Sequence, residues 1–167
     1  TRAAGWDFES HSVFYPDADY SGVVLVALRL VRPNDQAEFA SVFRRALDWQ
    51  LSFQCADGGW AAFDKDVTRR WLEDMPFADH NAILDPTCSD LTARTLELLG
   101  YIGFNPGRPL VHKAIRYLRE TQDDDGSWYG RWGVTYIYGT WQVRRGPCAI
   151  VGAMPGEWVL AAPRWRE

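Results

Sequence analysis

The 167-residue sequence predicts an all-α protein in which buried inner helices alternate with amphipathic outer helices, as in an α/α barrel. Three observations lead to this fold class. Segments that are apolar on every side alternate with segments whose apolar positions recur at helical spacing. The same order of features returns further along the chain, with offsets of 71 and 68 residues. Signals for β-strands are weak throughout.

The first element of each repeat is predicted to be a buried inner helix. The first copy contains the run VVLVAL, and its counterpart 71 residues later is nearly as apolar. A helix that is apolar all round is buried on every side. Pro16 and Pro86 stand just before the two segments, where a proline favours a helix start. We therefore expect inner helices at about residues 21–30 and 90–99.

The second element is predicted to be an amphipathic outer helix, separated from the inner one by the breaker-rich segments 32–35 and 103–107. Charged residues alternate with its apolar positions. A fainter third repeat runs through Tyr138, offset by 48 residues from the second. In the first repeat the apolar positions are Phe39, Val42, Phe43, Ala46 and Phe53.

A helical solenoid is the alternative architecture, because 68 residues is twice the roughly 34-residue period of tetratricopeptide units. The irregular offsets of 71, 68 and 48 residues argue against it. Much of the irregularity lies in residues 61–89. This stretch is longer than the roughly 12 to 15 residues of an ordinary connection, and long connections of that kind are usually functional.

A tail of the form Q-x-x-x-G-x-W follows each outer helix. The two copies run from Gln54 to Trp60 and from Gln122 to Trp128. A Gln just past a helix can bond the free carbonyls at that end, Gly permits a left-handed turn, and Trp covers the junction with the next repeat. We therefore expect the tails to join neighbouring helix pairs.

Composition excludes several classes of function. The formal net charge of −4 supplies no field of the sign that attracts nucleic acid, so no such partner is expected. The longest apolar run has six residues, far below the roughly 20 that span a bilayer. Three widely spaced cysteines indicate neither a disulfide framework nor a structural zinc site, which fits a reducing compartment. Aromatic residues make up 14% of the chain, an excess that suggests a use for ring faces.

A metal site has one candidate set of ligands, Asp85 and Cys88 with His80 or His112. Their spacing matches no recognised ligand pattern. The sequence also lacks a Gly-rich phosphate loop, a nucleophile elbow and an H-E-x-x-H motif. Neither a metal nor an organic cofactor is therefore expected.

The tails resemble the QW repeats of the triterpene cyclases, and five further segments resemble the squalene-hopene cyclase family in particular. They occur in family order and cover essentially the whole chain. Because the family's chains are several times longer, the resemblance implies an internal fragment, with residues 1–167 forming part of the catalytic α/α-barrel domain. The segments are GWDF at 5–8, FYPDAD at 14–19, GGWAAFD at 58–64, DHNAILDPTC at 79–88 and GRWGVTYIYGTW at 130–141.

The resemblance implies acid-initiated cyclisation of squalene, a linear C30 polyene, to a hopanoid. Protonating an isolated alkene requires a strong acid in a dry cavity, and the cations that follow need stabilisation without a nucleophile that would trap them. Aromatic faces attract cations by about 0.5 to 2 kcal/mol each and form no bond with them. This chemistry would account for the excess of aromatic residues.

The family's proton donor is the middle Asp of a D-x-D-D motif, which implies that Asp19 is the acid and that Asp17 supports it. Tyr20 stands where the family has the last Asp of that motif. The family's partner to the acid falls on Arg94, preceded by Asp90. On this reading, Arg94 holds Asp17 or Asp90 ionised.

The same comparison implies that Tyr138 lies near the acid and relays protons through water. It also implies that Phe8, Phe63 and Trp132 line the cavity and face the cations. Ordinary structural roles are the alternative. Acidic residues in a first helical turn stabilise the helix dipole, and single aromatic residues commonly pack in a core.

The family is monotopic and dimeric, which implies a membrane surface as partner, a homodimer, and a location at the cytoplasmic face of the bacterial membrane. Two other functions remain open. One is an inactive homologue with a structural role only, suggested by Tyr20 and by Pro147 and Pro163, which fall where helix interiors are expected and cost about 3 kcal/mol each there. The other is a different class II terpene cyclase that acts on a shorter prenyl chain.

Overall fold

The computed structural model describes residues 5–7, 16–31, 37–67, 84–133 and 135–152. Within these ranges the chain forms five α-helices and no strand, which confirms the predicted all-α class. Two isolated antiparallel bridges join Asp7 to Pro16 and Trp60 to Cys88. None of the described helices is both long enough and apolar enough to cross a membrane. The helices are α1 (Ala18–Val31), α2 (Ala37–Ser52), α3 (Ser89–Tyr101), α4 (Pro109–Glu120) and α5 (Thr135–Val151).

The helices are arranged in an inner and an outer layer. In the inner layer α3 packs between α1 and α5, while α2 packs on α1 and α4 packs on α3 in the outer layer. This alternation is the arrangement expected for an arc of an α/α barrel. The main core lies between α3 and its neighbours and is formed by large side chains that include Trp60, Leu91, Leu96, Leu99, Leu118, Trp128 and Val143.

The two expected inner helices are present, but only one is buried on every side. Ten of the 13 residues of α3 are buried. In α1, by contrast, Val23, Leu30 and Val31 are 48%, 67% and 77% exposed. The expectation that this helix is buried all round is therefore wrong within the described part of the chain, because α1 stands at the edge of the inner layer.

The indole groups of the two tails form equivalent hydrogen bonds. Nε1 of Trp60 donates to the Gln50 carbonyl at 2.9 Å, and Nε1 of Trp128 donates to the Leu118 carbonyl at 2.6 Å. Both carbonyls lie in the last turn of an outer helix, ten residues before the Trp. Both Trp side chains are fully buried. The indole therefore gives a helix-end carbonyl a well-placed hydrogen-bond donor in a buried position.

The backbone of each tail is bonded to the next inner helix. The N–H of Trp60 donates to Thr92 Oγ1 on α3, and the N–H of Trp128 donates to Thr140 Oγ1 on α5, both at 3.0 Å. Each tail thus ties an outer helix to the inner helix of the following repeat, as the sequence predicts.

The glutamines of both tails donate to a carbonyl in the turn of their own tail. Nε2 of Gln54 donates to the Gly58 carbonyl at 2.9 Å and to the Leu110 carbonyl at 3.0 Å, and Nε2 of Gln122 donates to the Gly126 carbonyl at 2.9 Å. For Gln54 this corrects the expected partner, since the indole of the same tail takes the helix carbonyl. Gly58 and Gly126 have φ of +100° and +85°, the left-handed conformation that was expected.

Small residues allow α3 and α5 to approach closely. A Cβ on Gly146 would overlap the backbone carbonyl of Ala93, and a Cβ on Gly100 would overlap the backbone of Ala149. The two helices therefore meet backbone to backbone at two levels. This contact brings the first turn of α5 next to the middle of α3, where the candidate site lies.

Helix α5 contains Pro147 in its interior, as the third repeat predicts, and it continues to its end at Val151. The proline is buried and cannot donate to the carbonyl four residues earlier, at Val143. The helix accommodates the loss of this one hydrogen bond. Pro163 lies outside the described residues.

Candidate active site

The carboxylate of Asp19 is paired with the guanidinium of Arg94. Asp19 lies in the first turn of α1 and Arg94 in the middle of α3. Nη1 of Arg94 donates to both carboxylate oxygens, at 2.7 and 2.8 Å. The two side chains retain 24% and 26% of their exposure. The resemblance implies that Arg94 holds Asp17 or Asp90 ionised. In the structure its ion pair is with the predicted acid itself, and its charge lowers the pKa of Asp17 only against the larger effect of burial.

Asp17 caps the N-terminus of α1. Its Oδ1 accepts hydrogen bonds from the backbone N–H groups of Asp19 at 2.7 Å and Tyr20 at 3.2 Å. Such a cap typically stabilises a helix by about 1 kcal/mol. The carboxyl is buried, and this burial raises its pKa against the opposing effect of the two backbone bonds and Arg94. The geometry thus favours the structural role that the sequence left open for Asp17.

Asp90 is likewise bonded to the backbone. It is 1% exposed in the first turn of α3, where Oδ1 accepts the N–H of Leu91 at 3.1 Å and Oδ2 accepts the N–H of Trp132 at 3.0 Å. Both oxygens therefore have partners, as does the capping oxygen of Asp17. Asp19 is the carboxylate of the three that forms the ion pair with Arg94. The bond to Trp132 also fixes the backbone of a predicted cavity-lining residue against α3.

Burial raises the pKa of Asp19 to about 6. Arg94 opposes the shift, and the nearby carboxylates of Asp17 and Asp90 add to it. The sequence alone left open whether the helix dipole or burial would dominate at this position. In the structure burial outweighs the charges that favour ionisation, so the carboxyl is protonated more readily than an exposed aspartate.

Tyr138 contacts the acid pair through Arg94. It lies in the first turn of α5, where its hydroxyl is hydrogen-bonded to Nη2 of Arg94 and its ring centroid is 5.8 Å from Cζ of Arg94. Burial raises the pKa of the Tyr138 hydroxyl, although Arg94 opposes this. The structure thus brings together Asp19, Arg94 and Tyr138 from three different inner helices.

Two of the three predicted cavity-lining rings are in contact with each other. The rings of Phe63 and Trp132 meet edge to face, with centroids 6.2 Å apart and an interplanar angle of 86°. Phe8 lies outside the described residues. Asp19 opens onto a narrow cleft in which Phe63 and Trp132 take no part. That cleft is lined by Ala18, Gly22, Trp60, Leu91, Arg94 and Thr95.

Asp85 is a buried acid whose role the sequence did not reveal. From the sequence, Asp85 is a candidate metal ligand only, together with Cys88 and either His80 or His112. In the structure its Oδ2 accepts the backbone N–H groups of Phe63 and Asp64, the latter at 3.1 Å. In the described residues no group of three or more potential ligands could hold a metal ion. His80 lies outside those residues. The feature of the sequence that could have indicated a functional role for Asp85 is its position, five residues before Asp90 at the end of a long connection.

The whole chain, residues 1–167, matches the family model of the squalene-hopene cyclase C-terminal domain. It is 40% identical over 159 residues to a squalene-hopene cyclase of Zymomonas mobilis, covering 93% of this chain and 24% of the relative. It is 37% identical to the squalene-hopene cyclase of Alicyclobacillus acidocaldarius, covering 83% and 22%. It is 41% identical to a dammaradiene synthase of Dryopteris crassirhizoma, covering 80% and 21%. The chain thus spans about a quarter of the length of these relatives or slightly less.

Proposed function

Because this chain belongs to the squalene-hopene cyclase C-terminal domain family, we propose that the protein containing it protonates squalene and directs the resulting cation to a hopanoid, with Asp19 as the acid. One observation carries the proposal. The Asp19 carboxyl is buried enough to have a pKa of about 6, yet it lies beside a guanidinium that stabilises the carboxylate left after proton transfer.

The first step is a proton transfer from the Asp19 hydroxyl to a terminal alkene carbon. The π electrons of the alkene form the new C–H bond, the neighbouring carbon becomes cationic, and Asp19 becomes a carboxylate. Arg94 is already in place to pair with that charge through both oxygens. A partner that stabilises the ionised form makes Asp19 a stronger acid than it would be if equally buried and unpaired.

Aromatic rings stabilise the cations in the later steps. Phe63 and Trp132 offer π-electron density within a few ångströms of each other, and each ring contributes about 0.5 to 2 kcal/mol without forming a bond. The backbone N–H of Trp132 donates to Asp90. This bond fixes the backbone that carries one of these rings against the helix that carries Arg94. Phe8 is part of the same proposal on the strength of the sequence resemblance alone.

After each reaction Asp19 must regain its proton, and the protein must reach a substrate that lies in the membrane. Tyr138 returns protons to Asp19 through water, a role supported by its bond to Arg94. The complete protein acts at the cytoplasmic face of the bacterial membrane, because its substrate dissolves in lipid rather than in water. From the family resemblance it acts there as a homodimer. No metal or organic cofactor is involved.

A grafted cyclase provides the test. In it, the segment of the Zymomonas mobilis enzyme that this chain matches is replaced by residues 1–167. The purified protein is incubated with squalene, and the products are identified by gas chromatography with mass spectrometry. We expect hopene. If neither the grafted cyclase nor its Tyr20→Asp form makes any cyclic product, although both are helical and unfold cooperatively, the proposal is wrong. A predominant dammaradiene product would instead favour a function like that of the dammaradiene synthase.

The activity of the grafted cyclase should depend on pH through Asp19. Since the acid acts in its protonated form and its pKa is raised to about 6, kcat/KM should fall by about tenfold between pH 5 and pH 7. Squalene conversion measured across this range, with circular dichroism to show an intact fold, tests the prediction. A flat profile, or a rate that rises with pH, would contradict it.

Replacing Tyr20 by Asp should make the grafted cyclase faster by about tenfold at pH 7. Tyr20 stands where the family has a second carboxylate, and a like charge beside Asp19 raises its proton affinity and hence its protonated fraction. The backbone N–H of Tyr20 would remain bonded to Asp17. Hopene formation is compared between the two forms. Equal rates would show that Tyr20 is harmless, and inactivity of both would favour the inactive homologue. The isolated 167-residue chain is expected to be inactive.

A further inference from the structure

We propose that Asp85 is a positioning residue that holds the Phe63 ring against Trp132 and thereby influences which cyclic product is released. The inference rests on the proposed function, because it assigns Asp85 a part in steering the cation. Asp85 itself would touch neither the acid nor the cation. It would act through the backbone of the segment that carries Phe63.

The bonds of Asp85 are directed at that segment. Oδ2 accepts the N–H groups of two consecutive residues, Phe63 and Asp64. Two N–H groups that converge on one oxygen define the local backbone conformation, and with it the direction in which the Phe63 side chain leaves the chain. Asp85 is 6% exposed, so water does not compete effectively for these bonds.

The same short segment holds the other ring. Residues 84–88 lead into α3, and in the first turn of that helix Asp90 accepts the N–H of Trp132 at 3.0 Å. At the near end the Leu84 carbonyl accepts a bond from Nη2 of Arg131, the residue next to Trp132, at 2.9 Å. One segment therefore anchors the backbones of both rings, and the edge-to-face contact between Phe63 and Trp132 depends on it.

Burying the carboxyl group of Asp85 costs free energy that its hydrogen bonds must offset. Oδ1 of Asp85 is buried and accepts no hydrogen bond from the described residues. Among the described residues, the two bonds to Oδ2 are therefore the ones that offset the cost of burying this carboxyl. The two bonds to Phe63 and Asp64 give this buried carboxyl a role, which is to place the Phe63 ring.

A displaced ring should alter the product mixture more than the overall rate. The first proton transfer takes place at Asp19 and does not involve Phe63. A cation that has lost part of its stabilisation halfway through the cascade instead loses a proton early, which yields incompletely cyclised products. The proportion of such products is thus a readout that a merely structural role would leave unchanged.

The test compares Asp85→Ala with Asp85→Asn in the grafted cyclase. Ala removes the acceptor, and the fraction of incompletely cyclised products should rise by about fivefold. Asn keeps an oxygen that can accept the same two N–H groups, so it should restore the original mixture. Asp48→Asn, on the exposed face of α2, serves as a matched control. An unchanged mixture in the Ala variant overturns the inference, while the proposed function stands as long as the parent cyclase makes hopene.

A double variant covers the case in which Asp85→Ala folds poorly. Phe63→Ala removes the ring while leaving the backbone bonds to Asp85 possible. If Asp85 acts through Phe63, adding Asp85→Asn or Asp85→Ser to Phe63→Ala should change the product mixture no further. A clear additional shift in either double variant would mean that Asp85 acts by another route, and the inference would fail.

Discussion

Replacing Asp19 by Asn in the grafted cyclase is expected to lower the rate of squalene cyclisation by about a thousandfold, which corresponds to about 4 kcal/mol in the barrier. Asn has nearly the same shape but no acidic proton to give to the alkene. Rates are measured from hopene formation under single-turnover conditions, so that product release does not mask the chemical step. The variant should keep its helical circular dichroism spectrum.

The control for this experiment is Asp48→Asn, an identical change at an exposed position of α2. It should leave the rate within about twofold of the parent, because surface substitutions of this kind have small effects. Retained activity in the Asp19→Asn variant would remove Asp19 as the proton donor. The pH dependence expected between pH 5 and pH 7 would then need another titrating group.

Replacing Gly146 by Ala is expected to lower the free energy of unfolding of the grafted cyclase by about 3 kcal/mol. The new Cβ would overlap the backbone carbonyl of Ala93 and lie 2.9 Å from its Cα. Neither helix can yield locally, because the obstruction is backbone rather than a flexible side chain. The helices α3 and α5 must therefore separate, and Tyr138 should move away from Arg94. Urea unfolding followed by circular dichroism measures the loss of stability.

Gly22→Ala is the matched control, since Gly22 also lies inside a helix of the inner layer. The nearest atom to a Cβ at this position is Nε2 of Gln50, at an ordinary contact distance of 3.9 Å. Ala favours a helix over Gly by about 1 kcal/mol, so this variant should be as stable as the parent or slightly more so. Equal stability of the Gly146 and Gly22 variants would show that the close contact between α3 and α5 is not needed.

The burial of Asp19 could not be predicted from its sequence neighbours. A carboxyl in a first helical turn after a proline is commonly an exposed group that stabilises the helix dipole. Its neighbour Asp17 does act on the helix, as the cap of α1. Both residues lie at the start of the same helix after a proline, and local helix signals alone do not distinguish them. They differ in the structure because Asp17 turns back to the chain, whereas Asp19 faces α3.

The sequence by itself determined the all-α class, the places of the inner helices and the form of the tails. These features depend on helical periodicity and on residues close together in the chain, such as the Gly that takes a left-handed conformation in each tail. The sequence predicts that Gln takes the helix-end carbonyl, and in the structure it is Trp that does so. The resemblance to the cyclases also led to Asp19, Arg94 and Tyr138, which the structure brings into one cluster.

Only the tertiary structure decided how the acids are partnered. Arg94 reaches Asp19 across 75 positions in the sequence, and Asp90 reaches Trp132 across 42. Such contacts depend on how closely the helices pack, and between α3 and α5 the close approach is made where Gly146 meets Ala93. The role of Asp85 depends in the same way on where a long connection returns to α3. A carboxyl's pKa and partner follow from burial and distance, and both arise only when the inner helices pack side by side.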